Sequence, residues 1–388
     1  MRILDRQRYW AFFKAYVICF VALVGLYIVI DAFSNFDEFS KRAEGVVEMF
    51  RVMGRFYLVH MSLFYDRLCG VIGMMAAIFT VTWMQKNNEL LAMLAAGIST
   101  RRVIRPVWVA TLMVSGLAVL NQELIMPRYA DELQKSHDDD GLRKVRVSGR
   151  YDSNGILIHG GEADRNARTV FQFNATLPVP VFGAIRELEA KQARYIPEGD
   201  PKAPHTGGWL LRGARLNPPV EADALKDKGN RLLVRLDTPS GFPPPVGDLT
   251  DLGGETYFLR TDMKFEAVTR NRQWYQFAPT LDLVRGLTDP ANAPERMEIA
   301  VFLHARILRP LSSLALMGLS LPLVLGGYGR NMFINLGLSL GTSALFYGAA
   351  FMCQYLGNNG AVSPELAAWA PLVGFGTLAI ARWDTIRT

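Results

Sequence analysis

Apolar positions along this chain of 388 residues gather into two blocks, one towards each end, with a long polar stretch between them. The first block opens with a run at residues 15–30. Arg2, Arg6, Arg8 and Lys14 flank its start, and Tyr9, Trp10, Phe12 and Phe13 supply the aromatic edge that suits a membrane interface. A second run covers residues 61–84 and carries Asp66 and Arg67 near one end, where ionisable groups are costly unless paired or at the interface. A third starts near Pro106 but stays apolar only to Leu120, where Asn121, Gln122 and Glu123 interrupt it. A span needs roughly twenty residues. It must therefore include those three, and the polar patch should face a cavity or another helix. The second block holds three more runs: residues 307–327, introduced by His304, Arg306 and Arg309 and bent at Pro322; residues 332–355; and residues 367–380, edged by Trp369 and Trp383. Between the first two runs, residues 31–60 interleave Phe33, Phe36, Phe39, Val46, Val47 and Phe50 with charges. This reads as an amphipathic connection along the outer surface.

From Arg128 to about Met297 the period changes to two. Residues 150–159 around an Asn154-Gly155 turn, then 169–175, 186–196, 208–216, 231–236 and 255–265, read as short strands, with Pro-rich loops at 197–204 and 239–245. Many short strands with turn signals between them argue for a sandwich or jellyroll-like β domain. The expected fold is an α-helical membrane protein with six transmembrane helices, three before and three after an inserted β-jellyroll-like domain. Its parts divide as residues 1–127, 128–300 and 301–388. Lys and Arg in the short loops place the N-terminus, the 85–105 loop, Arg330 and the terminal Arg382 and Arg387 on one side, which the positive-inside rule makes cytoplasmic.

Two features of the membrane blocks invite a functional reading. Residues 86–99 read as a cytoplasmic helix between the second and third spans, with Asn88 as N-cap, Glu89 at the positive end of the dipole and Gly97 closing the last turn. Leu90, Met93, Leu94 and Gly97 fall at i, i+3, i+4 and i+7, an apolar face on a segment too short to cross a bilayer. That spacing leaves two partners open, the chain's own membrane domain or another protein. In the fifth run Gly337, Gly341, Ala344 and Gly348 form a stripe of small residues that permits close helix approach, by default within the chain and otherwise between subunits.

Composition and motifs narrow the chemistry. The net charge of +6 comes largely from cations flanking the spans and reports topology, so no nucleic-acid partner is expected. Cys19, Cys69 and Cys353 lie inside apolar runs and read as small hydrophobes, not as a disulfide framework. The chain carries no nucleotide-binding G-x-x-x-x-G-K-[ST] loop and no H-E-x-x-H or C-x-x-C, and its five histidines lack metal-ligand spacing. Asp138-Asp139-Asp140 reads as a solvated loop before a cation site. No catalytic residue, cofactor or metal is expected, and a transporter built this way would take its energy from a separate subunit.

The residues from Asn88 to Ser99 (Asn-Glu-Leu-Leu-Ala-Met-Leu-Ala-Ala-Gly-Ile-Ser) resemble the coupling-helix signature of the LptF/LptG (YjgP/YjgQ) permease family of the lipopolysaccharide export ABC transporter. Matches in the same order are Asn121 to Pro127, Glu189-Ala190-Lys191-Gln192-Ala193 followed by Trp209-Leu210-Leu211, His304-Ala305-Arg306 leading to Pro310, and Ala368-Trp369-Ala370-Pro371. The resemblance covers nearly the whole chain. It implies a multi-pass protein of the bacterial inner membrane with cytoplasmic termini and a periplasmic β domain. It also implies partners: a cytoplasmic LptB-like ATPase, a second permease usually forming a heterodimer, and LptC/LptA-like jellyroll bridge proteins that carry lipopolysaccharide or a related lipid toward the outer membrane. On this resemblance Glu89, Leu90, Leu91, Met93, Leu94, Ala95 and Gly97 belong to the helix seated in an ATPase groove. The first and fifth spans form a lateral gate, where the small-residue stripe finds a purpose. For a phosphorylated head group, Arg67, Arg306 and Arg309 are the best-placed cations, with interface snorkelling as the alternative. Two other readings remain: a membrane-anchored scaffold or sensor whose β domain binds a partner and moves nothing, and proton-coupled transport through Glu123.

Overall fold

The computed structural model describes residues 2–41, 45–134, 145–179, 184–199, 201, 203–219, 232–236, 242–246, 253–325 and 332–383. The acidic run at 138–140, the turn at 326–330 and Arg387 lie outside these. In chain order the helices are α1 (Arg2–Ser34), α2 (Phe36–Lys41), α3 (Val46–Lys86), α4 (Glu89–Ala95), α5 (Thr100–Leu120), α6 (Ala130–Leu133), α7 (Phe265–Val268), α8 (Thr280–Thr288), α9 (Arg296–Leu325), α10 (Met332–Asn358) and α11 (Pro364–Trp383). The chain divides into a helical unit of Met1–Asp138, Gln276–Leu283 and Met297–Thr388, and a β-rich unit of Asp139–Tyr275 and Val284–Arg296.

Among the described residues of the chain, six segments are long and apolar enough to cross a membrane: Leu4–Ser34, Val46–Lys86, Thr100–Tyr129, Pro290–Leu325, Phe333–Asn358 and Pro364–Trp383. Helix α3 is the centre of the helical unit, its most apolar window being 72% buried against 11% for α1. Ile72, Met74, Ala76, Ala77 and Ile78 of α3 pack with Phe12, Tyr16 and Cys19 of α1, Ile104 and Val107 of α5, and Met317 and Leu321 of α9. Apolar burial holds this core, and the outward sides of α1 and α10 leave Ile18, Val21, Phe333 and Phe351 exposed, as lipid-facing surfaces do.

Several boundaries differ from expectation. The stretch 31–60 is not a surface connection: α1 runs on to Ser34, and from Val46 onward the residues belong to α3 itself. At about 1.5 Å per residue a helix of that length far exceeds the thickness of the hydrocarbon. An amphipathic pattern reads alike whether the helix stands apart or extends a span, and that ambiguity hid the continuity. The third span starts at Thr100, six residues before Pro106, and passes from α5 into a π-helical turn (Asn121–Ile125) and a 3-10 turn (Met126–Tyr129) where the polar patch lies. Helix α9 begins at Arg296, so His304, Arg306 and Arg309 sit within it.

The β-rich unit carries one antiparallel sheet among its described residues: β1 (Val145–Arg146), β2 (Arg150–Tyr151), β3 (Leu157–His159), β4 (Glu162–Asp164), β5 (Thr169–Leu177), β6 (Arg186–Ile196), β7 (Gly208–Asn217), β8 (Leu233–Leu236) and β9 (Glu255–Arg260). The order is β1-β4-β5-β6-β7-β9-β8, with β3 joining β2 to β5. Register places Val170, Ala193, Leu211 and Tyr257 opposite one another across four strands, and all four enter the main core with Trp209 and Leu259. This is the period-two pattern made physical. Gly213, at φ 61°, lies inside the bulge between Leu211 and Ala214, where the left-handed region suits glycine. The expected strand at 255–265 stops at Arg260. Phe265 instead opens α7 and folds back into the core, where the Trp209 indole donates to the Met263 carbonyl at 3.1 Å.

Candidate functional site

The turn after α3 sets up α4. Asn88 does not cap with its side chain as expected. It sits in the left-handed region at φ 57°, which asparagine tolerates, and its carbonyl accepts the Ala92 amide at 3.0 Å. Gly97 does close the helix: at φ 79° its amide donates to Leu94 and the Ile98 amide to Met93, at 2.9 and 3.0 Å, the paired bonds of a Schellman ending. The seven residues singled out in this helix divide between two faces. Leu90 is buried, and Met93 and Leu94 pack with it against Met84, Val103 and Leu325 of the chain's own spans. Glu89, Leu91, Ala95 and Gly97 are exposed, Leu91 by 59%. The inward face thus takes the first of the two partners left open, and an exposed face of one acid, one leucine and small residues remains.

The three arginines proposed for a head group line a single cavity of about 220 Å³ among α3, α9, α10 and α11. Asp66 and Arg67, adjacent on α3, point to different partners. Asp66 is buried and pairs with Arg309 at 2.5 Å, whereas Arg67 donates to the neutral amide oxygen of Gln276 at 3.4 Å. Arg306, one turn before Arg309, meets three acceptors through its terminal nitrogens: Glu123 at 3.0 Å, the Gln122 carbonyl at 3.0 Å and the Ala278 carbonyl at 2.6 Å. Glu123 also accepts the Thr280 amide at 3.0 Å and its hydroxyl, while Asn121 donates to the Ser62 carbonyl at 2.9 Å. The polar patch therefore faces other segments, as its position in a span requires. Two of the three cations are neutralised in place, while Arg67 has no carboxylate partner among the described residues. Tyr347, Gln354 and Ser312 complete a polar lining suited to an anion at the edge of an apolar region.

On α10 the stripe departs from the default. Gly337, Gly341, Ala344 and Gly348 are all exposed, and a Cβ built at any of the three glycines meets nothing within 4 Å. The face used inside the chain is Asn335, Ser339, Ser343 and Phe346. The ion pairs are what sequence reasoning missed. Two acids and two arginines inside apolar spans form a balanced set, and that balance was the available signal.

Six apolar spans in the described residues, three on either side of an inserted antiparallel β domain in the sequence, define a multi-pass membrane protein. The family model described as lipopolysaccharide export system permease LptF/LptG matches residues 6–227 and 255–384, and the chain belongs to that family. Its family role is accordingly that of a permease in lipopolysaccharide export. A search of curated proteins found no match.

Proposed function

We propose that this chain is one permease subunit of an ABC exporter in the bacterial inner membrane, drawing lipopolysaccharide or a related lipid from the membrane and driven by a separate cytoplasmic ATPase. The observation that carries the reading is the two-faced α4. Its inner face is seated on the spans while Glu89, Leu91, Ala95 and Gly97 are left outward, as a helix that relays force from a second protein requires. An amphiphile loses about 0.8 kcal/mol for each methylene drawn into water, so extraction needs an outside energy source. The outward small-residue stripe of α10 supports a gate against the first span of a second permease of the same family. In the cavity, Arg67 is the head-group contact. Arg309 can exchange Asp66 for a lipid phosphate, and Arg306 holds the wall. The β domain, on the periplasmic side, passes lipid to jellyroll bridge proteins.

Glu89→Lys and Ala95→Trp change only outward positions. Each should abolish co-purification with the ATPase while the permease keeps its expression level and thermal midpoint. Undiminished association and lipid-coupled ATP hydrolysis in both variants would overturn the docking role.

A further inference from the structure

We propose that Arg8 is a positioning residue that ties α4 to the first span, so that displacement of α4 is carried into α1; this rests on the docking role proposed above. Arg8 lies in the second turn of α1 and is 7% exposed. Its guanidinium donates to Met93 Sδ on α4 and, at 3.3 Å, to the Val103 carbonyl in the first turn of α5, and the Asp5 carboxylate one turn earlier is 3.7 Å away. One planar fork of donors therefore joins three helices.

The choice of Met93 matters, because its own carbonyl accepts the Ile98 amide that closes α4. Arg8 grips the residue on which that ending depends, and a cation beside the last turn of a helix is favourable. The apolar attachments of α4, through Leu90, Met93 and Leu94 to Met84, Val103 and Leu325, are non-directional, and the Glu89 charge adds only a through-space attraction to Arg8. Such contacts tolerate sliding, whereas a fork of hydrogen bonds transmits direction. Thioether sulfur is a weak acceptor, so burying a guanidinium against it is a poor exchange for water. A feature with that cost and little stabilising return fits a relay better than a clamp. Helix α1 also has the least buried apolar window of the six spans, so most of that window lies outside the chain's own packing.

The test uses the full complex of permease pair and ATPase in lipid nanodiscs, with spin labels on α1 and α4. Arg8→Met removes the donors and keeps length and apolar volume; Arg8→Lys keeps the charge without the fork. For Arg8→Met, ATPase association should be unchanged and basal ATP hydrolysis within about twofold, while release of lipopolysaccharide falls about tenfold, within the usual range of coupling between sites. The nucleotide-dependent change in the α1 distance should vanish, and Arg8→Lys should lie between. Wild-type release with intact α1 displacement in Arg8→Met would overturn the relay, as would loss of ATPase association, which would make Arg8 part of docking itself. Should Arg8→Met fail to accumulate, wild-type values for both measures in Arg8→Lys overturn it equally. Retained association in Glu89→Lys is the separate result that removes the docking role, and the relay with it.

Discussion

Arg306 shows what a charge inside a span requires. Its side chain is 4% exposed and holds a carboxylate and two backbone carbonyls from segments far apart in the chain. Removing one partner of a buried pair leaves the other charge without compensation, a loss of about 3–5 kcal/mol, whereas replacing both with apolar groups is often close to neutral. Arg306→Met should therefore lower the thermal midpoint in detergent more than Glu123→Gln, because Glu123 is 30% exposed and the glutamine can still meet Thr280. The double variant Arg306→Met, Glu123→Leu should recover part of the loss. Equal and additive losses would mean that the two groups do not act as a pair. Such pairs were half legible beforehand. The cost of ionisable groups in apolar runs marks Asp66, Glu123, Arg306 and Arg309 as needing partners, but Asp66 and Arg309 are 243 residues apart, and periodicity carries no information over that distance. Asn88 failed for a local reason: an asparagine that suits an N-cap also suits the left-handed region, and here the tight turn after α3 takes the second use.

Elements were read best where burial on one face forces a period. Strand β6 (Arg186–Ile196) has the expected bounds: Leu188 and Ala190 enter the core between exposed Glu187, Glu189 and Lys191, while Gln192 and Ala193 further on are both buried. Contacts without such a constraint were not legible: the described part of the Pro-rich stretch is irregular, as expected of a loop, but its place on the sheet was not foreseen. Residues 242–246 lie across the opposite face of the sheet. The Gln192 amide pairs with Val246 through both its groups, at 2.8 and 3.3 Å, and Arg194 and Arg212 donate to the carbonyls of Pro244 and Pro243. Phe242 closes on Ile196, Leu210 and Phe258. Burial, and secondarily the Arg194 charge, holds the Arg212 guanidinium below the usual arginine range, and the proline carbonyls supply acceptors for both cations. This strap falls in the interval between the two parts that the family model matches. Gln192 is 3% exposed, so Gln192→Ala should destabilise the β domain by about 1–3 kcal/mol, the cost of leaving buried backbone groups of the strap unpaired. Amide hydrogen exchange at Val246 should rise in the same variant. Unchanged stability and exchange would show the strap to be held by Phe242 and the two arginines without Gln192.

The whole chain follows from one arrangement, three spans on either side of a β insertion, and that arrangement was legible because apolar runs of membrane length and alternating strands differ in both period and length. Sidedness is a further step, argued from charge. Lys86, Arg101, Arg102 and Arg105 flank the second and third spans, and Arg2, Arg6 and Arg8 lie at the start of the first. Two crossings return the chain to the side on which it began, so both groups share a side, and the excess of Lys and Arg is the ground on which that side is proposed as cytoplasmic. On the proposed topology a third crossing leads to a periplasmic β insertion whatever its own charge, since long domains translocate largely regardless of it. Ser99 and Ser153 are both exposed, one beside α4 and the other in the hairpin between β2 and β3. Of the native thiols, Cys19 and Cys69 are buried and Cys353 is half-buried in α10, so exchanging all three for serine or alanine leaves a clean background. In whole cells with a permeabilised outer membrane, a membrane-impermeant maleimide should label Ser153→Cys and not Ser99→Cys; breaching the inner membrane should expose both. Labelling in the reverse order would put α4 out of reach of any cytoplasmic ATPase and remove the exporter reading at its root, because a helix on the periplasmic side has no nucleotide-driven partner to follow.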